Sequence, residues 1–303
     1  MLTNNKKLMI KAQEKGYAVG AFNFVNMEVL QAIIRAAEIE KSPVIVQTTE
    51  GAIDYAGIEY LSAIAHIAAK KAGVPVSLHL DHGKEISYIK SAIRHGYTSI
   101  MVDGSHLPFE ENISITKKAV ALARKKKISV EAELGTLGGI EDKVSGKIGF
   151  TDPEKAVEFV RRTGCDTLAV AIGTSHGAYK FKGKSRLDFN RLKEIRKIVS
   201  IPLVLHGASG IPRDIVRKAI RYGAVLKQAH GVSDAHIRKA VRSGISKVNI
   251  DSDLRLSFDA ALREVIYSRP EVFDMRKLIG AGRDAITETV RRKIRLFGSN
   301  GKV

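Results

Sequence analysis

Cysteine is almost missing from this chain: one residue, Cys165, in 303. That excludes an internal disulfide and fits a reducing compartment, so a cytoplasmic location is expected. A lone thiol entering a strand ahead of Asp166 and Thr167 reads as a packing residue rather than a nucleophile. No apolar run approaches the roughly 18 residues that span a membrane. The opening segment, MLTNNKKLMIKAQEKGYAVG, lacks the apolar stretch of a secretory signal. No GxGxxG follows the first strand-like run, which removes the fingerprint of a dinucleotide-binding Rossmann fold. Linkers and low-complexity stretches are lacking too, so residues 1–303 are expected to form one domain. Acidic residues are the scarcer charge, 32 against 50 lysines and arginines, a net +18. Such an excess raises nucleic-acid binding as a function. The basic residues, however, fall in segments such as 117–127 and 191–197, mixed with apolar positions at helical spacing. No zinc-finger spacing, recognition helix or aromatic RNA-binding pattern accompanies them. A solvated surface accounts for the charge; neither a nucleic-acid nor a membrane partner is expected, and a small anionic substrate is compatible with it.

What the chain does have is alternation. Strand-like runs at 19–24, 43–49, 75–80, 98–103, 128–134, 167–172, 202–206 and 247–251 are separated by amphipathic segments with apolar residues at helical spacing. Helices are expected near 26–39, 57–71, 85–95, 110–126, 153–163, 189–199, 212–221 and 233–243, with two more at 252–267 and 283–296. Pro43, Pro75 and Pro202 stand where strands begin, the place at which a missing N–H donor costs least. Eight strand–helix units give an α/β fold of the (β/α)8 TIM-barrel class with extra C-terminal helices, favoured over a doubly wound open sheet.

Three of the buried-looking strands end in a histidine. VPVSLHLDHG (74–83) delivers Asp81 and His82, TLAVAIGTSHG (167–177) delivers His176, and IPLVLHGASG (201–210) delivers His206. A parallel barrel gathers the carboxyl ends of its strands on one face, so the three imidazoles can converge on one metal that acts as a Lewis acid on a carbonyl. His66, His95, His230 and His236 read as satisfied packing residues, His79 as core or support, and His106 stays open. Asp81 lies close enough to the metal to move a proton beside it, and Asp103, Glu131 and Glu133 reach the same rim. The turns Gly207-Ala208-Ser209-Gly210 and Asn249-Ile250-Asp251-Ser252-Asp253 follow the seventh and eighth strands, the usual phosphate site of such barrels. Loop 135–150 has five glycines and Glu141, the make-up of a mobile lid with an acid or base in it.

AFNFVN, HLDHG, EAELG, GTSHGAYK, LHGASG and KVNIDSDLR, in this order, resemble the zinc-dependent class II fructose-1,6-bisphosphate aldolases. FDMRKLIGAGRDAI and RLFGS extend the resemblance over essentially the whole chain. It implies reversible cleavage of fructose 1,6-bisphosphate into dihydroxyacetone phosphate and glyceraldehyde 3-phosphate, a step of glycolysis and gluconeogenesis. It further implies that His82, His176 and His206 hold the catalytic Zn2+, Co2+ or another divalent ion, with Asp103 and Glu133 able to hold a second or displaced metal. Asp81 would take the C4 hydroxyl proton, and Glu141 would protonate the enediolate. Gly177, Gly207, Ala208, Ser209 and Ser252 would cradle the triose phosphate beside a monovalent cation (Na+, K+ or NH4+). Asn23, Asn249 and Asp251 would bind the sugar, and Thr49, Lys180 and Arg255 the other phosphate. In related dimers the arginine matched by Arg255 crosses the subunit interface, so a homodimer or homotetramer is implied. Ala208 and Ser252 replace a common glycine and threonine, and the lid after Glu141 is short. A tagatose-1,6-bisphosphate aldolase is the near rival; an alanine commonly replaces Asp251 there, so NIDSD points to fructose. A Schiff-base aldolase would need a desolvated lysine near a strand's carboxyl end; Lys247 reads as the first residue of its strand.

Overall fold

The computed structural model describes the chain apart from residues 137, 142–143, 147–148, 177–186 and 227–229, with the backbone alone at 138–141, 144–146 and 176. Eight strands form the centre: β1 (Val19–Asn23), β2 (Val44–Thr48), β3 (Val76–Gly83), β4 (Ser99–Val102), β5 (Ser129–Leu134), β6 (Thr167–Val170), β7 (Leu203–Leu205) and β8 (Ile245–Ile250). Each pairs in parallel with its sequence neighbours, and β8 returns to β1 through Asn249 opposite Ala21, closing the barrel. Closure follows from sequence: the strands are buried along their length but for half-buried His82 near the end of β3, and each is linked to the next by at least one helix.

Alternation along the strands divides two environments. Phe22, Val46, Leu78, Ile100, Leu168 and Val248 point outward into one large apolar cluster beneath the helices. The opposite set lines the interior. Ala21 and Ile45 pack there against Leu8 and Ala12 of the N-terminal helix Asn5–Lys15, and Ala169 and Val204 pack against its Met9. That helix floors the barrel at the amino ends of the strands. Above the floor the interior turns polar, with Gln47, His79, Glu131 and Lys247 all at zero exposure.

Several boundaries differ from the sequence reading. The helix expected at 57–71 runs Ile58–Lys71, and a short helix not foreseen from the sequence, Glu50–Ala56 capped by Thr49, precedes it. The last helix runs Met275–Phe297, well ahead of 283. Gly280 and Gly282 resemble breakers, but a Cβ on Gly282 would stand 2.4 Å from the Phe258 ring, so this glycine permits close helix packing. β8 starts at Ile245, which moves Lys247 from the strand's start to its middle; the polar pair Ser246 and Lys247 interrupts the apolar pattern there. The glycine-rich loop after β5 contains paired strands, Gly138–Glu141 antiparallel to Val144–Gly146. Cys165 is buried, and burial pushes its thiol up to about 12, so it packs and does not react. No helix among the described residues is long and apolar enough to cross a membrane.

The C-terminal helix is tied to the site's scaffold by a buried ion pair. Lys293 Nζ lies 2.8 Å from Asp253 Oδ2, and Asp253 also accepts the backbone N–H groups of Gly210 and Ile211 at 2.9 and 2.6 Å. Burial works against the Asp253 carboxylate, but Lys293 and these N–H groups hold its pKa below the usual value. Lys293→Met is therefore expected to cost about 3–5 kcal/mol near pH 7 by stranding a buried charge. A folded-state pKa that is lowered gives stability present above the ordinary aspartate value of about 3.9 and lost as pH falls below it. Denaturant titrations of wild type and variant should accordingly converge as pH drops below about 4; curves equally far apart in acid would show that the pair is not the source.

Candidate active site and metal centre

The carboxyl end of β3 is irregular. Its register against β4 shifts between Leu80 and Gly83, and His82 adopts a left-handed backbone with φ of 51°. In a regular strand Asp81 and His82 would face opposite sides. The bulge, strained for a non-glycine residue, lets both reach the barrel mouth. A Cβ on Gly83 would meet Met101 O at 2.6 Å, so only glycine lets β3 approach β4 so closely there.

His82 Nδ1 lies 2.8 Å from Asp103 Oδ2, and His206 Nε2 lies 2.8 Å from Glu131 Oε1. Each carboxylate takes an N–H, which fixes the tautomer and places the ring lone pair on the other nitrogen. Those nitrogens, His82 Nε2 and His206 Nδ1, are 2.9 Å apart, with the rings at 81°. Two lone pairs aimed at one point repel unless a cation or a proton lies between them. The carboxylates say the same. Burial opposes protonation of His82, yet Asp81, Asp103 and Glu133 hold its pKa up at about 10. Burial and the Asp103 charge push Glu133 well above the ordinary range, whereas Asp103, also buried, is held well below it by His82 and Ser105. A site with this excess of acceptors suits a cation. Among the described residues two groups have the required spacing, Asp81 with His82 and His206, and His82 with Asp103 and Glu133, each with ligand atoms within 4.8 Å. The donor set therefore fits a metal.

The other histidine expected here, His176, belongs to the short strand Ser175–His176, which pairs in parallel with Gly138–Gly139. Its side chain, that of Glu141, and all of Gly177 and Lys180 lie outside the described residues. The backbone places Ser175 against the turn after His206: a Cβ on Gly207, whose φ is 60°, would be 2.7 Å from Ser175 O. The register puts Glu141 two residues beyond Gly139, the partner of His176, on the same small sheet.

Asp81 is gripped from three sides. Asn23 Nδ2 and Gln47 Nε2 donate to Oδ2 at 3.0 Å each, and Asn249 Nδ2 donates to Oδ1 at 2.8 Å. Three donors suit an acceptor-only carboxylate and leave it one orientation. Asn249 Oδ1 is buried with no hydrogen-bond partner among the described residues, an acceptor suited to a ligand hydroxyl. Gly207, Ala208, Ser209, Asn249, Asp251 and Ser252 line the same recess as Asn23, Asp81, His82 and His206. Ser252 begins the helix Ser252–Ser268, whose N-terminal dipole favours an anion. A larger cavity of about 390 Å3 adjoins it, sharing Asn23 and Asp251 and lined also by Thr49 and Arg255. Arg255 is held by Asp251 one helical turn before it, Nε to Oδ1 at 3.0 Å and Nη2 to Oδ2 at 2.7 Å. Thr49 Oγ1 also accepts Ala52 N–H at 3.2 Å.

Two contributors escaped the sequence reading. Gln47 was the single amide in VIVQTT, and Lys247 the single cation in its strand; each was the signal, an isolated polar group in an otherwise apolar run. His79 is core, with Nδ1 2.9 Å from Ser99 Oγ, and His106 is exposed and belongs to neither group with metal-ligand spacing.

A closed parallel barrel with imidazoles, carboxylates and a glycine-containing turn at its carboxyl end is a (β/α)8 enzyme with a site suited to a metal. The chain belongs to the class-II fructose-bisphosphate aldolase family, whose model matches residues 3–302. This makes it a class-II aldolase, a carbon–carbon lyase of a metal-dependent family. It is 46% identical to the fructose-bisphosphate aldolase of Giardia intestinalis, over 98% of this chain and 93% of that protein. With the enzyme of that name from Thermus caldophilus it shares 47% identity over 100% of both. The crystal structure of the YdjI aldolase from Escherichia coli K12 matches with a TM-score of 0.83 at 37% identity, covering 100% of this chain and 99% of that one.

Proposed function

We propose that this chain cleaves fructose 1,6-bisphosphate reversibly, with Asp81 as the base on the C4 hydroxyl. The observation that carries this reading is Asp81 locked by three amide donors beside the converging imidazoles of His82 and His206. His82, His176 and His206 would hold a divalent ion, zinc being the first choice for a set of imidazoles. When bound, that ion supplies Lewis-acid polarisation of the C2 ketone.

The rest falls to the chain's own side chains. Asp81 accepts the C4 hydroxyl proton as the C3–C4 bond breaks; that bond's electrons pass to C3 and the C2 carbonyl as an enediolate, and C4 leaves as an aldehyde. Glu141 then delivers a proton to C3, giving dihydroxyacetone phosphate. In condensation the same protons travel back. Asn249 and Asp251 hold hydroxyls, with Asn23 keeping Asp81 in place. The turn of Gly207, Ala208 and Ser209, with Gly177 and Ser252, holds one phosphate beside a monovalent cation, and Thr49, Lys180 and Arg255 the other. Asp103 and Glu133 orient His82 and form an alternative cation position.

A coupled assay before and after EDTA tests this. Activity should vanish on chelation and return with zinc or cobalt, and the rate on fructose 1,6-bisphosphate should exceed that on its C4 epimer, tagatose 1,6-bisphosphate. Activity untouched by EDTA but lost on borohydride treatment with substrate would overturn the metal reading.

A further inference from the structure

Behind His206 the barrel interior holds an ion pair that the reaction as written does not use. Lys247 and Glu131 are both fully buried, with Nζ 3.0 and 2.9 Å from the two carboxylate oxygens. The third lysine proton faces His79 Nε2 at 3.3 Å, and His79 passes its own N–H to Ser99. Burial and the Lys247 charge keep His79 well below its usual pKa, so its Nε2 is an acceptor. All three N–H donors of Lys247 are thus matched by acceptors, which leaves no lone pair for a Schiff base. Enclosing two full charges costs several kcal/mol per ion, and well-packed apolar residues commonly serve a barrel interior as well or better. Stability alone does not account for this pair.

Its position does. Glu131 Oε1 is the atom that receives His206 Nε2–H, so the carboxylate decides which His206 nitrogen faces the site and at what angle. A carboxylate on a flexible stem would not hold such a place by itself. Lys247, reaching across from β8, ties both oxygens. We propose that Lys247 and Glu131 form a positioning unit that aims the His206 Nδ1 lone pair at the metal and thereby sets metal affinity. This inference rests on His206 being a metal ligand.

Zinc dissociation constants from chelator competition, measured without substrate on Lys247→Met, Glu131→Gln and the charge-neutral double variant, test it. Each single variant should bind zinc about 10–100-fold more weakly, the usual effect of removing an orienting partner. The two losses should be non-additive, because both variants disable one unit. Unfolding of the metal-free proteins is followed in parallel. A zinc constant within twofold of wild type in Lys247→Met, with lowered metal-free stability, would reduce the pair to packing and overturn the proposal. Should Lys247→Met not fold, the double variant decides in the same way, since it buries no unpaired charge: weakened zinc binding supports the unit and an unchanged constant overturns it. Wild type that binds no zinc at all would instead sink the metal-site reading itself.

Discussion

Replacing His206 with alanine is expected to strip the protein of its metal and to lower kcat by on the order of 10^3-fold or more. Lewis-acid polarisation supplies several kcal/mol of transition-state stabilisation, and each ~1.4 kcal/mol is tenfold in rate. His206 is about 1% exposed, its Nδ1 is 2.9 Å from His82 Nε2, and its other nitrogen is committed to Glu131. An alanine removes the proposed ligand and leaves Glu131 its two contacts with Lys247, so the scaffold should survive while the metal is lost. Metal content of the purified protein, together with kcat at saturating zinc, reads the result. A variant retaining stoichiometric zinc and near-normal turnover would remove His206 from the site.

The second large effect concerns Asp81. Asp81→Asn is expected to lower kcat for cleavage about 10^2–10^4-fold, the range for a lost general base. Geometry sharpens this expectation. Both carboxylate oxygens now accept from amides, so an asparagine must turn its own NH2 toward Asn249 or toward Asn23 and Gln47, donor against donor. A modest stability loss of about 1–3 kcal/mol therefore accompanies the kinetic one. A partial reaction separates the causes. In the proposed mechanism, exchange of the C3 proton of dihydroxyacetone phosphate with solvent would need Glu141 and the metal but no base on a C4 hydroxyl. It should persist in Asp81→Asn while cleavage fails. Equal loss of exchange and cleavage would mean that the substitution disrupts the whole site, and Asp81 would forfeit its role as base.

The barrel was legible because its outward faces are written in apolar residues. Phe22, Val46, Leu78 and Val248 recur at alternate positions and must be covered by helices, and the order of strands then follows from short right-handed crossovers. Candidate site residues were legible because polar side chains at the ends of apolar runs have few structural excuses: Asp81, His82 and His206 announced themselves in this way. Buried polar residues were harder to place. Lys247 and Ser246 interrupt an apolar pattern and so read as a strand's beginning, although they lie inside it. Gly282 stands just ahead of the helix expected at 283–296 but lies inside the helix Met275–Phe297, where Phe258 of another helix packs over it.

The sequence by itself determined the architecture, the anion-friendly turns and the identity of the side chains at the mouth, since these depend on local pattern and on residue chemistry. Tertiary structure alone decided how those side chains work together. Strand alternation would separate Asp81 from His82, and only the bulge between β3 and β4 brings both inward. Which imidazole nitrogen faces the site is set by Asp103 on the loop after β4 and Glu131 on β5, far away in sequence. Arg255, on the helix after β8, lines one cavity with Thr49, which follows β2, because β8 closes on β1 beside β2. Each is a contact between distant segments, and its energy exists only once the barrel has closed and excluded water from the charges inside.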